Sequence, residues 1–224
     1  LSETFEEGLY SRIDRLLVDS EMWGNPVTQF GALVSAQSNC SAPFVIHDLA
    51  FTRLTTIRHA IANAFDLPHT AEQINSLSVV KIRRAEGYGM SALYLASWVA
   101  KRLGMVVDSK SSNLDRILLK SSGKTGPNEV VIEIGPLSED RVGDVEIDFV
   151  LGDSKVEISG CQSKDFVRTY VHRPDCPVEE TWLPVGRLDD TTLVSDVLNR
   201  AGRNRVHGQV LPILLELLAL ASGR

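Results

Sequence analysis

The hexapeptide Gly87-Tyr88-Gly89-Met90-Ser91-Ala92 has G-x-G-x-x-A spacing between a β-branched stretch and an apolar helical pattern, and Asp108 closes the next segment. In a dinucleotide site such glycines let backbone N–H groups approach a pyrophosphate at the helix N-terminus, and the acidic residue takes a ribose hydroxyl. Two features weaken that reading. Arg83, Arg84, Ala85 and Glu86 lengthen the turn, and beyond Asp108 the chain passes to hairpins instead of repeating strand and helix. Gly123-Lys124-Thr125 imitates the end of a phosphate loop, but Leu118 stands where its first glycine belongs and Pro127 follows in place of a helix. A solvated hairpin turn explains it better.

The other chemistry-bearing residues are dispersed. No G-x-S-x-G elbow and no cysteine signature marks a nucleophile. His47, His59, His69, His172 and His207 lack the H-x-x-x-H or H-x-H spacing that seats a metal. Glu129, Glu133, Asp144, Glu146 and Asp148 alternate with apolar neighbours. Paired carboxylates do general acid–base chemistry. Alternation such as Glu146-Ile147-Asp148-Phe149 is equally what a half-buried strand with one wet face requires, and that simpler reading is preferred. Cys161 and Cys176 flank the strand expected over Phe166 to His172, so a hairpin there would bring them within reach of a reversible disulfide. Cys40 reads as a small buried hydrophobe. No catalytic residue, cofactor or metal is expected.

The elements that position these residues follow from periodicity. Ser2 opens a helix pattern with Glu3, Glu6 and Glu7 in its first turn and Leu9, Ile13, Leu16 and Leu17 as an apolar stripe. Phe30 to Ala36 suits helix or buried strand alike. Phe44-Val45-Ile46 reads as a short strand, and Thr52 to Phe65 as a helix with Leu54, Ile57, Ile61 and Phe65 on one face. Leu77 to Ile82 reads as a strand. A helix follows with Ala92, Leu95, Ala96, Val99 and Leu103 buried and Gly104 at its left-handed cap. From Met105 the period becomes two-fold, with strands expected at 105–107, 116–120, 130–134, 145–151, 155–159, 166–172 and 182–185. The short link Gly152-Asp153-Ser154 forces antiparallel pairing. Asp189 or Asp190 caps a helix through Leu198, and a last helix runs from about Gln209 to Leu220. The fold class is α+β, with a largely antiparallel or mixed sheet flanked by helices. A helix-rich region spans 1–104 and a strand-rich region closed by two helices spans 105–224, and the two can form one unit.

Composition narrows the function. The 224 residues carry a net charge of −6, which offers no electrostatic footprint for a nucleic acid. The most apolar stretch, Val210 to Ala221, is interrupted by Pro212 and Glu216, so no membrane span is expected. Three cysteines are too few for a disulfide framework, and a reducing cytoplasm is the expected location. The opening Leu1-Ser2-Glu3 lacks an initiator Met, as in a piece of a longer chain.

The segment Asp48-Leu49-Ala50-Phe51-Thr52-Arg53-Leu54-Thr55-Thr56-Ile57-Arg58, followed by GMSALYLASWVAKRLG over Gly89 to Gly104, resembles the OpcA family of glucose-6-phosphate dehydrogenase assembly proteins of cyanobacteria and actinobacteria. The family pattern is D-L-x-W-x-R-L-x-x-W-R, then a strand, then a helix ending in a W-L-A-x-R-L-G-like stretch. Phe51 and Ile57 stand where many relatives carry Trp, keeping apolar bulk without the indole donor. The resemblance is to the C-terminal portion of the cyanobacterial type. It implies a non-catalytic, allosteric activator that binds glucose-6-phosphate dehydrogenase and promotes its active oligomer in the pentose phosphate pathway. It also implies redox regulation linked to thioredoxin, with Cys161 and Cys176 as candidates. Arg53 and Arg58 are the candidate partner contacts, since Arg anchors are common at docking surfaces; tying the helix to a core-edge carboxylate such as Asp48 is their alternative role. The competing readings are a nucleotide-binding enzyme using the Gly87 turn and an interaction protein with another partner.

Overall fold

The computed structural model describes residues 10, 12–40, 44–121, 123, 126–138, 143–160, 165–186, 189–199 and 205–221. The chain first forms strand β1 (Arg15–Val18), which pairs parallel with β2 (Val45–Asp48), Leu16 opposite Ile46. The helix expected to carry Leu16 and Leu17 therefore does not form over these residues. A short isolated helix is marginal, whereas pairing with β2 satisfies the same backbone groups. Between the strands lies α1 (Pro26–Asn39), which resolves the open reading at Phe30 as helix: the Asn25 side chain accepts from Thr28 N, and proline takes the first turn.

The helix expected over Thr52 to Phe65 starts earlier and is broken. The Asp48 carboxylate accepts from Ala50 N and starts α2 (Leu49–Arg53); the backbone bends at Leu54 and restarts as α3 (Thr55–Asp66). Pro68 then opens the short α4 (Pro68–Glu72).

Strand β3 (Leu77–Arg84) leads through a turn into α5 (Gly89–Leu103), then to β4 (Met105–Val107), β5 (Arg116–Ser121), β6 (Glu129–Pro136), β7 (Val145–Leu151), β8 (Ser154–Gly160), β9 (Phe166–His172) and β10 (Glu179–Pro184). All eight join one sheet in the order β10-β9-β8-β7-β3-β6-β5-β4. β3 lies inside it, parallel to β6 with Val80 opposite Ile132, and antiparallel to β7 with Ile82 opposite Ile147. The sheet is thus mixed and joins strands from both halves of the chain. Gly152, at φ 61°, makes the expected tight link between β7 and β8. The chain closes with α6 (Asp190–Asn199) and α7 (Arg205–Ala221), which continues through Pro212.

The core lies between the sheet and the helices. α5 is buried on every side from Met90 to Ala100, not only along the expected stripe. Its alanines and serines let it sit between β3 and α7, and Ser97 Oγ donates to the Leu93 carbonyl at 2.7 Å, so its hydroxyl is satisfied within the helix. Gly104 ends the helix at φ 64° and donates to the Ala100 and Lys101 carbonyls.

On the opposite sheet face Glu129 and Glu133 of β6 are exposed, as a half-buried strand requires, but β7 departs from that expectation. Glu146 and Asp148 are only 3% and 4% exposed. Asp148 is bound by Arg83 at 2.9 Å and Lys155 at 3.2 Å; Lys155 also pairs with Glu157, which meets His172 at 2.7 Å. The long Arg83 and Lys155 side chains lie over Asp148 and keep its carboxylate from water.

Gly104→Ala puts a Cβ on a left-handed backbone and is expected to destabilise the protein by about 1 kcal/mol. A urea titration measures it; an unchanged midpoint would show that the cap contributes nothing.

Candidate functional site

The signature segment folds around Asp48. Its Oδ1 accepts from Ser20 N at 3.1 Å and Ala50 N at 3.0 Å, and its Oδ2 from the Tyr94 hydroxyl at 2.8 Å. Thr52 Oγ1 donates to the Asp48 carbonyl at 2.9 Å, and Thr55 Oγ1 to the Thr52 carbonyl at 2.6 Å, stitching the α2–α3 bend. Burial raises the Asp48 carboxyl to about 6, against these hydrogen bonds, which pull it down.

Both signature arginines are engaged. Arg53 makes a two-pronged pair with Asp19, Nη1 to Oδ1 at 2.8 Å and Nη2 to Oδ2 at 2.6 Å, with side chains 15% and 20% exposed. The core-edge carboxylate tying Arg53 is therefore Asp19 instead of Asp48. Arg58 lies over the Phe51 ring at 3.8 Å from its centroid and donates to the Leu54 carbonyl at 3.3 Å and Thr55 Oγ1 at 3.1 Å. Phe51 is buried against Tyr94 and His207, so the position held by Trp in many relatives is here a core ring.

Two residues beyond Asp19, Glu21 reaches the start of α5. Its carboxylate accepts from Met90 N at 3.0 Å and Ser91 N at 2.5 Å. This is the end of the helix where a phosphate would bind in the G-x-G-x-x-A reading, and the chain's own anion fills it. The turn is also shorter than expected, since Arg83 and Arg84 belong to β3. β4, which precedes Asp108, lies three strands from β3, and Asp108 pairs with Lys120 at 2.6 Å.

Arg53 lines a cleft of about 350 Å³ together with Ile57, Tyr88, Ser91, Asp144 and Phe166. Tyr88 hydrogen-bonds Asp144, and burial followed by that carboxylate raises its phenol. Ser91 Oγ is buried without a hydrogen-bond partner among the described residues. Neither histidine nor cysteine lines the cleft among the described residues, so the side chains offered there are an arginine, a phenol, the hydroxyls of Thr56 and Ser91, and carboxylates among apolar side chains. Arg58 is not in this lining. The two candidate arginines thus share the signature but not one opening.

Cys176 is exposed and Cys40 buried, both as free thiols; Cys161 lies outside the described residues, as do Lys124 and Thr125. No group of three or more His, Cys, Asp or Glu close enough to hold a metal occurs among the described residues. No described helix is long and apolar enough to cross a membrane.

Sequence reasoning missed Asp19, Glu21, Tyr94 and His207. Tyr94 carries one signal, a phenol within an apolar helix, which must find a partner when buried. The two acids resemble ordinary turn residues.

The molecule is an α+β domain whose mixed eight-stranded sheet packs its helices on one face. Residues 45–211 match the OpcA-type family described as the C-terminal domain of a glucose-6-phosphate dehydrogenase subunit, and the chain belongs to that family. It is 30% identical over 102 residues to a Synechocystis sp. protein named as an OxPP cycle protein, OpcA, a stretch that is 44% of this chain and 21% of that relative. The match thus spans about a fifth of the relative's length. An NAD-binding oxidoreductase from Klebsiella pneumoniae shares the fold at TM-score 0.55, with 11% identity over 93% of this chain and 70% of that one.

The Asp19–Arg53 pair is partly screened by water, so a double-mutant cycle of Asp19→Ala and Arg53→Ala is expected to give a coupling of about 1–2 kcal/mol in denaturation. Strict additivity would mean that the pair holds nothing together.

Proposed function

We propose that this chain is a docking domain that binds glucose-6-phosphate dehydrogenase and favours its active oligomer in the oxidative pentose phosphate pathway, without a reaction centre of its own. The observation that carries the reading is the match of residues 45–211 to a family described as part of a subunit of that dehydrogenase. The geometry of the signature supports it. Asp48, Thr52, Thr55 and Arg58 fix a bent pair of helices, and a rigid surface is what a docking element requires, because immobilising a loose one on binding costs affinity. Activation by such a domain needs only differential affinity, tighter for the active than for the inactive form of the enzyme. Arg53, in the cleft lining, is the contact proposed for the partner, with Arg58 supporting the same helices from Phe51. The filled N-terminus of α5 favours docking over nucleotide chemistry, since a phosphate there would have to displace Glu21.

The test mixes the chain with purified cognate dehydrogenase and follows rate and particle mass together. A rise in rate that tracks a heavier species is expected; a full-length chain that neither associates nor alters the rate would end the proposal. Arg53→Ala and Asp19→Ala separate docking from structure, because both break the ion pair but only the first removes the guanidinium. Arg53→Ala should raise the concentration for half-activation about tenfold, near 1.4 kcal/mol, while Asp19→Ala stays within about twofold. Equal losses would make Arg53 purely structural. Redox control is tested on the same assay with oxidised chain, reduced chain and Cys176→Ser; if all three act alike, the exposed thiol has no part in it.

A further inference from the structure

Three polar side chains meet in the core between β2, α5 and α7. Asp48 Oδ2 lies 2.8 Å from the Tyr94 hydroxyl, and that hydroxyl lies 3.0 Å from His207 Nε2. His207 also hydrogen-bonds the Ile46 backbone; with Nε2 on Tyr94, the nitrogen facing that carbonyl is Nδ1, which must donate to it. All three side chains are buried, and the rings of Phe51, Tyr94 and His207 pack together around the contact.

Counting hydrogens restricts what this row can be. A phenol has one hydrogen and can donate it in one direction only. If Tyr94 donates to Asp48, His207 Nε2 must carry a hydrogen to donate to Tyr94, and with Nδ1 donating to Ile46 the ring is an imidazolium facing a carboxylate. If Tyr94 donates to His207, Asp48 Oδ2 must carry the hydrogen, and every group is neutral. The two arrangements contain the same atoms and differ by two hydrogens shifted one place along the row. Removing one proton from either leaves two lone pairs facing each other at one of the three contacts.

We propose that Asp48, Tyr94 and His207 form a buried proton relay holding one exchangeable proton, which at mildly acidic pH rests on Asp48 in the folded protein and joins α7 to the signature segment. Surrounding charges favour the neutral arrangement. His207 faces His47 on β2 and Arg58 on α3, and burial followed by these groups lowers its ring to about 4. Burial raises the Asp48 carboxyl to about 6, opposed by the hydrogen bonds it accepts from the Ser20 and Ala50 backbone and from Tyr94. Glu21, at the start of α5, acts on Tyr94 and adds to the burial that holds the phenol neutral.

The linkage has a particular signature. In an unfolded chain the carboxyl titrates near 3.8 and the imidazole near 6.5, so between those values the pair also holds one proton, carried by the imidazole. Folding therefore moves the proton without changing their number, and the pair leaves wild-type stability nearly independent of pH. Each single variant exposes a slope. In His207→Asn, the raised Asp48 carboxyl gives stability that is full below about 3.8 and is lost as pH rises towards about 6. In Asp48→Asn, the lowered His207 ring gives stability that is full above about 6.5 and is lost as pH falls towards about 4.

The experiment measures chemical denaturation of the full chain from pH 4 to 7 for wild type and both variants, as differences from wild type so that other groups cancel. The expected result is opposite slopes, each approaching a hundredfold change in the folding constant across its window. Slopes of the same sign, or two flat profiles, would overturn the relay. Infrared spectroscopy of the wild type keeps the proposal testable if a variant does not fold. A protonated-carboxyl stretch present at pH 5 and lost above about 6, with nitrogen NMR showing a neutral His207 at pH 5, supports it. An imidazolium at pH 5, or no carboxyl band, refutes it.

Discussion

The arrangement depends on finding donors for one buried carboxylate. An isolated carboxylate in a protein interior costs several kcal/mol in lost hydration. When ionised, Asp48 recovers much of that through hydrogen bonds from donors on the Ser20 backbone, the Ala50 backbone and the Tyr94 hydroxyl; when protonated, it keeps the two backbone donors and gives its own hydrogen to Tyr94. Those partners belong to three separate pieces of chain: the turn after β1, the start of α2, and the middle of α5. One side chain therefore fixes how the small parallel pair, the bent helices and the central helix meet. It also explains why the signature opens with an acidic residue: a donor-only or apolar side chain there would leave two backbone N–H groups without an acceptor.

The turn at Asp19 to Glu21 works outward from that point. Asp19 holds the far end of α2 through Arg53, while Glu21 supplies the charge that the start of α5 requires. Three successive residues thus address three partners, because a turn of this tightness points successive groups in different directions. The resulting scaffold is rigid where the family signature is densest, and the cleft opens beside it. The signature is thereby both a folding device and the frame of the cleft beside it.

What is legible in the sequence is whatever local periodicity controls. The strands from β5 to β9 emerge because side chains alternate about a sheet, and the end of α5 because only glycine sits easily at φ 64°. What is not legible depends on distant partners. β1 escapes a reading by pattern because its apolar residues also fit a helical stripe, and only pairing with β2 decides the matter. The α2–α3 break at Leu54 follows from the Thr52 and Thr55 hydroxyls turning back on the backbone, which no apolar pattern signals. Within the candidate site, Arg53 and Arg58 are visible as types at a spacing, but Asp19 lies 34 residues from Arg53, Glu21 lies 69 from Met90, and His207 lies 113 from Tyr94. Such contacts come from packing, and one sequence carries no record of them.

The ionic lattice on the sheet's helix-free side carries a consequence for how the molecule meets its solvent. The two sides of a single sheet are held by forces that salt moves in opposite directions: excluded anions such as sulfate tighten the apolar side, while any electrolyte weakens charge pairs where water reaches them. Asp148 lies beneath Arg83 and Lys155 and is shielded from that weakening, whereas the more exposed Lys155–Glu157 pair is open to it. A rise in ionic strength would therefore loosen the sheet first where β8 meets β9, leaving the strands around β3 and β7 as the last to respond.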